Sequence, residues 1–540
     1  MSISQKIFLS IVSGLLFVLS WPGNGGFAPL LFLVFVPLLF VEDAIFRSQR
    51  GNIFRISYPS FVLFNSLSAY WLYMVSEGLE TKLSVYLFVV IVNSALMALV
   101  FHLFHFTRRK IGSKEGYIGL VLYWIGYEYF HYHWELSWPW LNLGNGFANS
   151  VHWVQWYEYT GVWGGTIWIF VVNILIFKIL DKAITYRATI KQNRLNIVLF
   201  ILILLLPIIF SMYIYSSYQE KENPVTITVL QPNVDPYSEK YVLGFEEQLN
   251  SMLSLVSADQ LNSSDYLIAP ETALIEDIWV NDLKRSVSIP IIKKFIADYP
   301  QLNFVSGLTS YYIFAENEQL SSTVRKLGKS DRWYDAYNSA IQINSTDNIE
   351  FYHKSKLVPG VEKMPFTSFL KPLEGLALDL GGTIGSLGTQ EEAEVFISHD
   401  GKVKIAPVIC YESIYGEYVG EYVKAGANLI FIITNDGWWG DSPGYVQHLA
   451  YGRLRAIETR RSIARSANTG ISCFINQRGD VLQPSAWWTP EVLHGHLNSN
   501  DTITFYTQYG DYLGRIGSFT AIILLLYSLA KSIYDRKKIA

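Results

Sequence analysis

The sequence predicts a polytopic α-helical membrane domain of about eight transmembrane helices joined to an extracytoplasmic α/β domain. Three observations predict it. Half of the residues are hydrophobic and only 16% are charged, and the mean hydropathy of +0.21 exceeds what a soluble chain of this length needs. The apolar residues crowd into long runs before about residue 216 and again near the C-terminus. Between these regions, strand-like and helix-like periods alternate. A net charge of −4 with no basic tract among aromatics argues against a nucleic-acid partner, and two cysteines make no disulfide framework.

Seven runs of roughly spanning length come first, near Ile7–Trp21, Phe27–Phe46, Ile56–Val75, Leu83–Phe106, Gly116–Tyr129, Val162–Leu180 and Leu195–Tyr215. An eighth covers Ile516–Tyr534. About 20 residues cross a hydrocarbon core of about 30 Å, which is why runs of this length read as spans. The first has Lys6 before a short apolar core, as a signal peptide would, but Trp21-Pro-Gly-Asn-Gly-Gly offers no small-x-small cleavage site and predicts an uncleaved anchor. The fifth is the weakest, being short and containing Glu128, a carboxylate that lipid would penalise and that predicts a site or an internal pair.

Basic residues predict the orientation. With a cytoplasmic N-terminus the inner loops hold twelve, Arg47, Arg50, Arg55, Arg108, Arg109, Lys110, Lys114, Lys178, Lys182, Arg187, Lys191 and Arg194, against Lys82 alone outside. Arg536, Lys537 and Lys538 follow the last span on the inside. The expected organisation is a membrane domain over 1–220 with seven helices, a periplasmic domain over 221–510 and a C-terminal transmembrane helix over 511–540, with both termini cytoplasmic.

Within the outer domain, Val225–Leu230, Tyr266–Ala269, Phe304–Gly307, Lys404–Ile409 and Leu429–Thr434 read as strands. Ser339–Ile343 and Ile349–Tyr352 read as a hairpin across Asn344–Asp347. Phe245–Ser257, Val287–Ala297 and Gly444–Arg461 carry helical spacing, so a layered sheet covered by helices is expected.

Three strand ends carry chemistry. Cys410 ends the apolar run Lys404-Ile-Ala-Pro-Val-Ile-Cys410, Glu271 follows Ala269-Pro, and Lys354 follows Tyr352-His. A thiol is a weak nucleophile near its ordinary pKa of about 8.5, and a nearby cation such as Lys354 would raise its thiolate fraction. Acyl transfer also needs a base for the thiol proton, a part for Glu271, and donors for the tetrahedral oxyanion, a part for Lys354 and a backbone N–H near Tyr411.

These three motifs, Pro270-Glu271-Thr, His353-Lys354-Ser-Lys-Leu-Val-Pro359 and Ile409-Cys410-Tyr-Glu412, resemble in type and order the Glu-Lys-Cys triad of the carbon-nitrogen hydrolase (nitrilase) superfamily. Seven spans before such a domain and one after it, with Trp138-Pro-Trp-Leu-Asn-Leu-Gly144 following the fifth, resemble the apolipoprotein N-acyltransferases over nearly the whole chain. The resemblance implies a nitrilase-like sandwich in the inner membrane of a bacterium and a ping-pong reaction. Cys410 takes an acyl chain from a phospholipid, typically phosphatidylethanolamine, as a thioester, and passes it to the α-amine of the diacylglyceryl cysteine of an apolipoprotein. It implies Glu271 as base, Lys354 at the oxyanion, and Glu362 as a second carboxylate orienting the lysine. Tyr411 and Glu412 match the family beside the nucleophile. No cofactor is implied, and the expected state is a monomer.

The family's Pro-Phe-Gly-Glu is Pro359-Gly-Val-Glu362 here, one aromatic fewer, which bears on substrate preference. Thr434-Asn-Asp-Gly-Trp-Trp-Gly440 resembles the family's Asn-Asp-Ala-Trp-Phe-Gly, and Arg465-Ser-Ala-Asn-Thr-Gly470 fits it well. Trp438 and Trp439 are candidates for substrate or lipid contact, with core packing the alternative. Cys473 reads as a small core residue, His353 and His448 as structural histidines, and nothing has metal-ligand spacing. Glu412 alone also fits a first-turn carboxylate. Two other classes fit parts of the pattern, a membrane-tethered amidase with the same triad and a transporter with an outer binding domain. Eight spans exceed what a tether needs, and the paired Gly/Pro-broken helices of a transporter are little in evidence.

Overall fold

The computed structural model describes residues 1–75, 79–240, 242–366 and 386–539. The chain divides into two compact units, one formed by 1–218, 442–450 and 509–540, the other by 219–441 and 451–508.

In the first unit, α-helices lie on each predicted apolar run wholly or in part, as Ile3–Ser20, Val36–Ser48, Ile53–Ser68, Leu79–Lys110, Ser113–His133, Val162–Thr185, Ile190–Ser217 and Tyr512–Ile539. Among the described residues, five stretches are apolar and long enough to cross a membrane: Ile3–Ser20, Ala28–Ser48, Lys82–Lys110, Ile190–Ser217 and Tyr512–Lys538. Ile190–Ser217 leaves Leu195, Val198, Leu206, Ile209 and Phe210 exposed, with only 6% of its most apolar stretch buried. Apolar surface on that scale is stable against lipid rather than water.

Two runs are not unbroken α-helices. Phe27–Phe46 falls almost wholly within one stretch long and apolar enough to span, Ala28–Ser48, but is a 3-10 turn over Ala28–Phe32 and an α-helix from Val36. Pro29 and Pro37 each sit in the first turn of their own element, where the missing N–H costs nothing, which favours a break between the two. The run Ile56–Val75 is helical to Ser68 and ends in a 3-10 turn at Tyr70–Met74.

The fifth helix continues past Glu128 to His133, because that carboxylate is buried and saturated with donors. It accepts from Trp124 Nε1 at 3.0 Å, Leu143 N–H at 2.8 Å, Asn142 Nδ2 at 3.1 Å and Thr166 Oγ1 at 2.8 Å. Asn142 and Leu143 belong to the Trp138–Gly144 motif, so the motif acts as a cap for the carboxylate. Gly144 allows the close approach, since a Cβ there would lie 2.0 Å from the carbonyl oxygen of Val162. At the other end of the unit Arg108 pairs with Glu42 and, at 2.8 Å, with Asp43, while Arg47 lies 2.7 Å from Asp181. Some of the basic residues that predict orientation are thus already paired with carboxylates.

Gln447, in the helix Pro443–Thr459, is buried within this unit. Its Oε1 accepts from Trp140 Nε1 at 2.6 Å and Trp71 Nε1 at 3.2 Å, and its Nε2 donates to the Ser68 carbonyl at 3.0 Å. His448 is fully buried beside it, its ring 5.9 Å from that of Trp140.

The second unit is two sheets with helices outside. The first sheet has the order β14 (Glu491–Asn498), β1 (Pro224–Gln231), β2 (Tyr266–Ile268), β4 (Asn303–Ile313), β6 (Trp333–Ile343), β5 (Arg325–Lys326), with β3 (Leu274–Trp279) on β4 and β7 (Ile349–His353) on β6. The second runs β13 (Val481–Leu482), β12 (Cys473–Ile475), β11 (Ile463–Ala467), β10 (Leu429–Thr434), β9 (Lys404–Ile409), β8 (Phe396–Ile397). The β1–β2–β4 and β9–β10–β11 pairings are parallel, as expected of buried β-branched strands connected through helices.

Strand alternation sets the layers. Leu230, Leu267 and Phe304 pack with Leu249, Ile289 and Ile292 of the covering helices Phe245–Ser254 and Ser288–Ile296. One residue from Leu267, Tyr266 points the other way and sets its ring edge-on to Phe431 of β10 at 5.0 Å, between the sheets.

Candidate active site

All three chemical residues lie just beyond strand ends in the second unit, and the fold brings them together. Glu271 follows β2 in the turn Ala269–Thr272, Lys354 follows β7, and Cys410 opens a 3-10 turn after β9. Their exposures are 6%, 1% and 8%. Cys410 has a φ of +47°, a left-handed conformation that costs a residue with a Cβ and persists because the strand behind and the turn ahead hold it.

The ammonium of Lys354 lies 3.1 Å from Glu271 Oε1 and 2.8 Å from Glu362 Oε1. Asn338 of β6 bridges the same two carboxylates, its Nδ2 donating at 2.8 Å to each, and its carbonyl accepts the Lys354 N–H at 2.8 Å. The other Glu271 oxygen accepts the Asn435 N–H at 3.1 Å, and the other Glu362 oxygen accepts the Val358 N–H at 2.8 Å. Asn435 belongs to the Thr434–Gly440 motif, and its Oδ1 accepts from Asn468 of the Arg465–Gly470 motif at 3.2 Å, so the two motifs meet at the residue that donates to Glu271. Gly307 of β4 lets the Glu271 turn approach, since a Cβ there would lie 2.5 Å from Glu271 Cα.

Glu412 ties the nucleophile turn to the lysine turn. Its Oε2 accepts the Ile409 N–H at 2.9 Å, while its Oε1 accepts the Tyr352 hydroxyl at 2.6 Å and the Ser355 N–H at 2.7 Å. Tyr411 is buried, with its ring edge-on to Tyr415 at 5.5 Å. Trp438 is half-buried, its ring edge-on to Tyr237 at 5.1 Å, and Trp439 is buried. Cys473 is fully buried in β12, where burial pushes its thiol up to about 12. His353 donates to or accepts from Ser339 Oγ at 2.7 Å and stacks on Tyr337, and burial lowers it to about 4, which keeps the ring neutral at pH 7.

Burial alone would protonate Glu271, but the Lys354 ammonium and the Asn338 amide outweigh it and hold the carboxyl below its ordinary value. Burial likewise opposes the Lys354 charge, and the Glu271 and Glu362 carboxylates outweigh that, so the lysine stays well above its ordinary value. Cys410 goes the other way. Burial and the Glu271 carboxylate push its thiol well up, and Lys354 offsets only part of that. The cation expected to ionise the thiol is instead shared between two carboxylates. These directions describe a protonated Cys410 thiol and an ionised Glu271 carboxylate at neutral pH.

Sequence spacing missed Asn338, which sits mid-strand with no motif around it, and Asn435, whose contribution is a backbone N–H. A thiol, a carboxylate and an ammonium, each nearly buried, are the groups that an addition at a carbonyl carbon calls for.

Residues 13–175 match the apolipoprotein N-acyltransferase N-terminal domain family, and residues 314–506 match the carbon-nitrogen hydrolase family. The chain is 28% identical to an apolipoprotein N-acyltransferase of Chlorobaculum tepidum, over 98% of this chain and 97% of that protein. It is 26% identical to one of Geobacter metallireducens, over 98% and 97%, and 26% identical to one of Thermotoga maritima, over 97% and 94%. Both halves of the chain are thus matched, and these relatives are matched over nearly their whole length.

Proposed function

The chain belongs to the apolipoprotein N-acyltransferase family, and from that premise we propose that Cys410, Glu271 and Lys354 transfer an acyl chain from a membrane phospholipid to the N-terminal amine of an apolipoprotein. The observation that carries the assignment of roles is the shared lysine, with Lys354 held between Glu271 and Glu362 beside a strand-end thiol.

In the first half-reaction Glu271 takes the Sγ proton as Sγ bonds to the ester carbonyl carbon. The tetrahedral oxyanion faces the Lys354 ammonium. Its collapse breaks the C–O bond, and the departing alkoxide of the lysophospholipid takes the proton from Glu271, leaving a thioester on Cys410. In the second half the α-amine of the diacylglyceryl cysteine attacks the thioester carbon, Glu271 takes one amine proton, and the C–S bond breaks. The thiolate recovers that proton, and the product is an amide. Ester and amine become alcohol and amide, with no redox partner needed.

The donor we propose is phosphatidylethanolamine, and the protein acts as a monomer. The excess of basic residues on the loops assigned to the inside supports an inner-membrane placement with the catalytic unit periplasmic and both termini cytoplasmic. Trp438 and Trp439 are proposed as substrate contacts because they lie three and four residues after Asn435, whose N–H donates to Glu271.

The test is the mass of the Cys410 peptide after incubating detergent-purified protein with phosphatidylethanolamine alone, before and after neutral hydroxylamine. A fatty-acyl adduct that hydroxylamine removes is expected. No adduct, with small amides hydrolysed instead, would replace the reading by a tethered amidase.

A further inference from the structure

Lys240 is a second buried ammonium close to Glu271. It is only 4% exposed, and its Nζ donates a hydrogen bond to Thr272 Oγ1, on the residue that follows the base. Thr272 has a φ of +48°, which a β-branched residue adopts only when its surroundings impose it. The lysine is itself anchored. Its N–H donates to the Asp235 carbonyl at 3.0 Å, and its carbonyl accepts from Gln248 Nε2 at 2.7 Å. Lys240, Thr272 and Glu271 line one cleft.

Burying an ammonium is expensive unless an anion compensates. Glu271, on the turn after β2, is a charged group that faces Lys240. Burial brings Lys240 down to about 8, and the Glu271 carboxylate works against that fall. Beyond Lys240, Glu271 faces Lys354 after β7 and Cys410 after β9, Lys354 faces Glu362 in its own loop, and Asp436 after β10 faces Cys410.

We propose that Lys240 is a positioning residue for Glu271, pinning the left-handed Thr272 turn that aims the carboxylate and placing a second positive charge beside it. This rests on the acyl-transfer reading of the site and deepens it. When Glu271 has taken the thiol proton, a cation beside it favours giving that proton up again to the leaving group. When Glu271 is ionised, the same cation offsets the repulsion between carboxylate and nascent thiolate. Taking the charge away raises the proton affinity of both anionic groups, so the sign of the effect is the same for each.

The test uses the full chain carrying Cys473→Ala, in which Cys410 is the sole cysteine. Alkylation of Cys410 by iodoacetamide is followed against pH by peptide mass. At pH 7, where Lys240 is charged, Lys240→Met should slow alkylation about tenfold, as a one-unit rise in the thiol's proton affinity would, while Lys240→Arg should keep the parent's rate. Thr272→Val removes only the hydroxyl that accepts the ammonium and should slow alkylation at pH 7 in the same direction as Lys240→Met. That variant decides the matter if Lys240→Met does not fold. An unchanged rate at pH 7 in Lys240→Met or, failing that, in Thr272→Val would overturn the proposal, as would an equal slowing in Lys240→Arg. Acylation by phospholipid is measured separately in the parent. Its absence alongside slowed alkylation at pH 7 in Lys240→Met would discard the acyl-transfer reading and leave the role of Lys240 beside Glu271 standing.

Discussion

Glu362 Oε1 lies 2.8 Å from Lys354 Nζ, nearer than the 3.1 Å that separates the lysine from Glu271. The carboxylate outside the proposed proton path therefore holds the lysine more closely than the base does. Glu362→Gln should keep the hydrogen-bonding shape but lose that anchor, letting the ammonium swing toward Glu271. We expect acyl-enzyme formation to fall about 100-fold, the scale of a catalytic group misplaced by about 1 Å. Single-turnover mass spectrometry on Cys410 measures it, and a variant at the parent's rate would remove Glu362 from the site.

Glu412 receives donors at both oxygens, from Ile409 on one side and from Tyr352 and Ser355 on the other. An amide cannot accept at both ends, so Glu412→Gln should set an N–H against an N–H. The expected cost is about 1–3 kcal/mol for the donor left unsatisfied, read as a lower Tm in detergent. Activity should fall with it, because the same carboxylate joins the nucleophile turn to the lysine turn.

The proton affinities of the pair give stability a dependence on pH at both ends. Glu271 is lowered in the folded protein, so its contribution is present above the unfolded value of about 4.3 and is lost as pH falls through the folded one. Lys354 is raised, so its contribution is present below about 10.4 and is lost as pH rises through its folded value. Thermal unfolding of the parent and of Glu271→Gln should therefore differ most between these limits and converge on acidification. A gap that stays constant below pH 4 would contradict the assignment.

Gly307 tests the placement of the base without touching its chemistry. A Cβ there meets Glu271 Cα and Thr272 N–H nitrogen at 2.5 Å, backbone that yields only by moving the turn. Gly307→Ala should lose activity well before it loses fold. A kinetic assay beside a Tm measurement separates the two, and unchanged turnover would mean that the turn tolerates displacement.

Cys410→Ala should abolish acylation, whereas Cys473→Ala should retain it, since the second thiol is fully buried in β12 and packs as a core residue. Loss of acylation in a well-folded Cys473→Ala protein would reverse the two assignments.

Much of this protein was readable in the chain itself, because the signals are local. Apolar runs long enough to span lipid, the strand periods around Tyr266 and Leu429, and the chemistry of three strand-end residues each depend on neighbours within a few positions. Helix breaks at Pro29 and Pro37 were legible in principle too, but composition over the whole run masked them. The partner of Glu128 was not legible. Its donors Leu143 and Thr166 come from other segments, and no spacing announces a backbone N–H.

The sequence alone therefore determined that a thiol, a carboxylate and an ammonium would stand at strand ends in a nitrilase-like domain of a membrane protein. Only the tertiary structure decided their charges and company. Lys354 is divided between two carboxylates, Asn338 bridges both, Glu412 ties two turns, and Lys240 reaches Thr272, across separations of up to 83 residues between partners. Proton affinity in a buried site follows from distance and desolvation, and both come into being only when remote segments have packed.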